Sequence, residues 1–160
     1  MTKFEEMNEY INSILTWLTD NQNLCKLIYY NDINPLRKPD LNDEDRIELT
    51  LDKILPLPKI PSDRLVNENS YLLVYLDNIE KGGNIYFKDS LLCFDIICNL
   101  NLWRMVGRLR PYAIMHELDE MFNNKSTLGV GKTQFYRSRM VWYSKDFCGY
   151  SLQYRICDFS

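Results

Sequence analysis

Apolar residues recur along this chain at two periods, and the change from one to the other marks its elements. In Ser90 to Leu100, SLLCFDIICNL, the even positions Leu92, Phe94, Ile96, Cys98 and Leu100 are all apolar, while Cys93, Asp95 and Asn99 fall among the odd ones. Period two with one fully buried face predicts a core strand. A connector, NLWRMVGRLR, leads into PYAIMHELDEMF, where Ile114, Met115, Leu118, Met121 and Phe122 follow helical spacing and His116, Glu117, Asp119 and Glu120 take the other side. Pro111 suits the first turn, where its missing N–H would be an orphan anyway, and Asn123-Asn124 are stop residues.

Upstream, Thr2 and Glu5 form a T-x-x-E capping box that opens a helix running to about Thr19. Its stripe of Phe4, Met7, Ile11, Ile14, Leu15 and Leu18 requires cover from a sheet or a neighbouring subunit. Asp20-Asn21 break it, and residues 23–30 predict a short second helix. From Asn31 to Pro61, prolines at 35, 39, 56, 58 and 61 rule out a continuous helix or central strand, leaving a surface excursion with one short helix between Asn42 and Ile54. Loops of that length inside a compact domain are usually functional.

Tyr71 to Asp77, YLLVYLD, is a central strand, turned by Lys81-Gly82-Gly83-Asn84 and paired antiparallel with Leu91 to Leu100. Thr133 to Tyr143 alternates Gln134, Tyr136, Ser138, Met140 and Trp142 against Phe135, Arg137, Arg139, Val141 and Tyr143. Tyr150, Leu152, Tyr154 and Ile156 point inward on a last strand, joined to the one before by a turn over residues 145–149. The expected fold is a single α+β domain spanning 1–160: an antiparallel sheet of about four strands, helices on one face, and a C-terminal β-hairpin.

Composition sharpens this. With 160 residues, 46% of them hydrophobic, one domain can bury a sizeable core. Net charge is −3, without the basic footprint of a sequence-reading nucleic-acid binder. No apolar run approaches a membrane span, and MTKFEEMNEY is too acidic for a signal peptide, so a soluble, non-exported protein is expected. The five cysteines, at 25, 93, 98, 148 and 157, include no C-x-x-C pair and read as free buried thiols of a reducing cytosol.

Candidate chemistry is sparse. Gly129-Val130-Gly131-Lys132-Thr133 ends like a phosphate-cradling loop, but Ser126 stands where the first glycine is needed and a strand follows where a helix should. His116 is the only histidine, which excludes a histidine-cluster metal site; it reads as a solvated or interface residue, with a Cys–His nucleophile pair as the alternative. Glu117, Asp119 and Glu120 are either paired carboxylates or a solvated helix face. No catalytic, cofactor-binding or metal-binding residue is assigned, and enzymes hold the smallest share of the reading. The aromatic load has more weight, because 11 Tyr, 7 Phe and 3 Trp exceed what one small core needs and Tyr and Trp are enriched at interfaces. Candidate interface residues are Tyr29, Tyr30, Trp103, Tyr136, Arg137, Arg139, Trp142 and Tyr143, with Tyr112 also in the aromatic set.

The order of N-terminal amphipathic helix, YLLVYL strand, long loop, SLLCFDIICNL strand, the Trp-bearing connector and helix LWRMVGRLRPYAIMHELDEMF, and the closing strand GYSLQYRICDF resembles the tail terminator proteins of long-tailed bacteriophages. The resemblance covers roughly residues 1–30 and 70–159. It implies a non-enzymatic virion protein, assembled in the host cytoplasm. Such a subunit forms a hexameric ring on the head-proximal end of the tail tube, stops tube growth and docks onto the neck. Expected partners are copies of itself, the tail tube protein and a neck or head-completion protein, with DNA sliding through the lumen unread. A head-completion or neck connector protein, or an intracellular adaptor, is the alternative.

Overall fold

The computed structural model describes residues 3–78, 90–126 and 132–157. Four helices pack on one face of a six-stranded mixed sheet. Helix α1 (Lys3–Asp20) precedes α2 (Gln22–Tyr29), whose cap Asn21 accepts a hydrogen bond from Leu24 N at 3.0 Å. Helix α3 (Asp43–Asp52) is capped in the same way by Asn42, which accepts from Asp45 N at 2.8 Å. Strand β1 (Ile54–Leu55) then runs parallel to β2 (Ser70–Asp77), which pairs antiparallel with β3 (Leu91–Asn99) from Ser70↔Cys98 to Asp77↔Leu91. The small hairpin of β4 (Arg104–Met105) and β5 (Arg108–Leu109) turns through Gly107 at φ +72° and leads into α4 (Arg110–Phe122). The chain ends in β6 (Lys125–Ser126), β7 (Lys132–Trp142) and β8 (Phe147–Ile156), giving the strand order β1-β2-β3-β8-β7-β6.

The α+β class and the C-terminal hairpin are as expected, but the sheet is larger and not purely antiparallel. The added strands β1 and β6 have two residues each, too short to carry a period, and the connector hides a third pair in β4 and β5. The 31–61 stretch does more than run over the surface: Leu41, Leu49, Ile54, Leu55 and Ile60 are buried. Residues 147–149, read as turn, belong to β8. Gly149 is required there because a Cβ would stand 1.5 Å from Ile96 O. Thr2 of the capping box, the 81–84 turn and Gly129 to Gly131 lie outside the described residues.

The main core joins Tyr10, Ile14 and Leu18 of α1, Leu24, Leu27 and Ile28 of α2, and Ile114, Leu118 and Phe122 of α4 to the even positions of β3 and to Leu152, Tyr154 and Ile156. Phe4, expected in the α1 stripe, is 68% exposed, while Tyr10 is buried in its place. The other sheet face carries a second, smaller cluster: Leu55, Ile60, Tyr71, Leu73, Ile97 and Phe147. Both faces of β3 are therefore buried, apart from the half-buried Asp95.

Arg110 ties these layers together. It is 1% exposed, and its guanidinium donates to the carbonyls of Leu27, Tyr30 (3.2 Å), Asp32 (2.7 Å) and Leu102 (2.8 Å). Two of those oxygens end α2, where the partial negative charge of a helix C-terminus favours a cation.

Candidate functional site

Strand β7 is where large exposed side chains gather: Phe135, Tyr136, Arg137, Arg139, Met140 and Trp142. Its inner edge pairs with β8 along its length, whereas β6 covers only Lys132 and Thr133 on the outer edge. One further outward group is closed by a side chain: Phe135 N donates to Asn123 Oδ1 at 3.0 Å. Beyond it, up to Trp142, no strand among the described residues pairs with the outer edge. An unpaired row of N–H and C=O groups of that length is a template for another chain unless something covers it.

The strand is also phased by a bulge. Phe135 faces Tyr154 and Arg137 faces Gln153, so Tyr136 is the extra residue. The simple alternation read from the sequence therefore breaks at Tyr136. Phe135 shares the helix-covered face with Met140 and Trp142, and Arg137 and Arg139 share the opposite face with Val141 but not with Phe135. The Tyr136 ring lies beneath two guanidinium groups, Arg137 at 5.5 Å and Arg155 at 5.2 Å. Arg137 Nε also donates to Gln153 Oε1 at 2.7 Å, which fixes its direction. Trp142 is 79% exposed, and Phe135, Tyr136 and Met140 are each about half as exposed or a little more.

Four of the eight sequence-derived interface residues, Tyr136, Arg137, Arg139 and Trp142, thus come together on β7. The other four hold the fold. Tyr29 and Tyr30 meet edge to face at 5.0 Å, and Tyr30 Oη donates to Pro39 O at 2.8 Å. Trp103 Nε1 donates to Cys98 O and Cys148 O, clasping the ends of β3 and β8. Tyr143 Oη accepts from Ile60 N at 2.8 Å and pins the 56–61 loop over the second cluster. Phe135 and Met140, missed from sequence, belong to the exposed set: Met140 shares the face of Trp142 in either phasing, whereas only the position of the bulge would have placed Phe135 with them.

Two open grooves border α4. One, of about 690 Å³, lies against the β4–β5 hairpin and is lined by Arg104, Arg108, Tyr112 and His116. The other, of about 430 Å³, separates α4 from β7 and is lined by Tyr112, Met115, His116, Asp119, Phe135 and Leu152. His116 sits in both, and no cysteine lines either. Asp119 accepts from Tyr154 Oη at 2.8 Å and Glu117 from Asn21 at 3.3 Å, so these carboxylates brace α4 against its neighbours.

The remaining candidates are equally committed to structure. Lys132 and Thr133 open a strand, and the Thr133 hydroxyl donates to Phe122 O, joining α4 to β7. All five cysteines are free; burial pushes the thiols of Cys25 and Cys93 up to about 12 and that of Cys98 to about 11, which suppresses the nucleophilic thiolate. Among the described residues, no group of three His, Cys, Asp or Glu side chains is placed to hold a metal ion, and no helix is long and apolar enough to cross a membrane.

On the open sheet face, Asp95 accepts from Tyr75 Oη at 2.9 Å. Burial raises its carboxyl above the usual value, against the opposing pull of the Ser151 and Tyr75 hydroxyls and Arg139. Its Oδ1 is buried without a partner of good geometry.

No curated protein and no solved structure matches this chain. A family profile does, over residues 21–156, which takes in α2 to α4 and every strand, and the family is phage-derived: the chain belongs to the YomW family.

Proposed function

We propose that this chain is a structural protein of the phage virion that forms a ring at the head-proximal end of the tail tube, ends tube polymerisation and joins the tail to the neck. The observation that carries the reading is the outer edge of β7, which presents Tyr136, Arg137, Arg139, Met140 and Trp142 around a backbone that no strand among the described residues pairs. A ring requires a surface of this kind on each subunit, meeting a different surface of the next. The phage-derived family and the resemblance of element order to tail terminators support the same assignment.

In this reading the chain carries no catalytic residue and needs no cofactor or metal. Its partners are further copies of itself, six to a ring, with the tail tube protein below and a neck or head-completion protein above. A net charge of −3 suits a lumen through which DNA slides, because a strongly basic wall would retain phosphates through counterion release. The test is assembly of the tail tube protein with and without this chain. Tubes of limited length, bearing the labelled chain at one end only, are the expected result. Tubes of unchanged length with no label at either end would overturn the proposal.

A further inference from the structure

Acidic residues gather on α3 at one edge of the described sheet, and basic ones on β7 toward the other. Helix α3, which packs beside edge strand β1, carries Asp43, Glu44, Asp45, Glu48 and Asp52 against one arginine. That arginine, Arg46, turns back to Asp43 and to Thr19 O. Asp43, Glu44, Ile47, Glu48, Leu51 and Asp52 of α3 are exposed, and Glu44, Ile47, Glu48 and Leu51 among them form one face at i, i+3, i+4 and i+7, with Ile47 and Leu51 about two-thirds exposed. Four strand spacings away, roughly 20 Å, β7 carries Lys132, Arg137 and Arg139 and no acid, together with exposed aromatic and apolar side chains. One side is acidic with two bare aliphatic residues; the other is basic, with a strand edge that no strand among the described residues pairs beyond Thr133.

We infer that the outer face of α3 in one copy covers the β7 edge of the next. The inference deepens the proposed ring by assigning its two faces. The helix straddles the edge: its row of Glu44 and Glu48 meets Arg137 and Arg139 on one side of the strand, while the adjacent row of Ile47 and Leu51 packs against Met140 and Trp142 on the other. Covering an edge with a helix is one of the ways in which proteins keep a strand from pairing indiscriminately. Pairing of β7 with β7 of a second copy is the competing geometry. In the antiparallel register centred on Ser138 it would set Arg137 against Arg139 across the strands, which is unfavourable. Because the two faces lie on opposite sides of the subunit, the contact is head to tail and leaves one face of each kind free for further copies.

The experiment uses two full-length variants. Arg137→Ser with Arg139→Ser and Trp142→Ser disables only the β7 face; Ile47→Ser with Glu44→Ser and Glu48→Ser disables only the α3 face. All these residues are exposed, and circular dichroism melts matching the wild type confirm the fold of each. Light scattering should show the wild type assembled beyond a dimer, each variant alone as a monomer, and an equimolar mixture as a dimer holding one of each. The mixed dimer should dissociate as salt rises toward ~1 M, where the screening length falls to about 3 Å. A dimer formed by the α3-face variant alone would mean β7–β7 pairing and overturn the inference, as would either variant retaining the wild-type mass. A wild type that stays monomeric at about 1 mM, where a contact of only ~4 kcal/mol is already populated, would also overturn it. The tube-end assay decides the proposed function separately.

Discussion

Arg110 is a charge that would be costly to bury alone, held by four carbonyls from two separate stretches of chain. Arg110→Ala leaves those oxygens unsatisfied inside the protein, and the expected loss is about 3–5 kcal/mol of unfolding free energy in urea denaturation. Gly149→Ala should be comparably damaging, because its Cβ would meet backbone atoms of Ile96, which cannot rotate away. Asp95 offers a pH-dependent test. Its native carboxyl is raised by burial, so ionising it costs stability; the cost is absent below the unfolded value and grows as pH rises through the native one. Asp95→Asn should therefore raise the melting temperature at neutral pH, with the gain vanishing in acid. None of these three roles was legible in the sequence. Arg110 stands in a run with two other arginines, and three of its acceptors lie 78 to 83 positions upstream.

Long elements were readable and short ones were not. Strands β2 and β3, helices α1 and α4 and the closing hairpin announce themselves because eight or more residues of one period outweigh local exceptions, as in β3, where every even position meets the core. Strands of two residues carry no period, so the parallel edge β1 and the β4–β5 hairpin emerge only from tertiary pairing. Strand β7 lies between these cases. Its existence was clear from alternation, but the bulge at Tyr136 shifts the phase, so that Phe135, which alternation sets with Arg137, Arg139 and Val141, stands on the other face. The same structure separates residues that serve the fold from those that do not. Replacing Met140 and Trp142 by Ser should change unfolding free energy by no more than about 0.5 kcal/mol each. Phe147→Ala, in the second cluster, should cost about 3–5 kcal/mol in the same denaturation series.

At the scale of the whole molecule, the account turns on what the fold leaves unfinished. Helices cover β2, β3 and β8 from one side, and the 56–66 loop with Tyr143 covers part of the other. Among the described residues, strand β7 is left with one edge paired along its length and one paired only at Lys132 and Thr133, while α3 carries two exposed aliphatic residues among carboxylates. Exposed apolar residues scattered singly are ordinary. Apolar and charged residues gathered on opposite sides, with complementary sign, are what a repeating contact between identical subunits needs. The most direct measurement is the solution mass of the wild-type chain by light scattering, with negative-stain images of the same fraction. The account expects closed rings of six subunits; a strict monomer at high concentration, with no rings in the images, would contradict it.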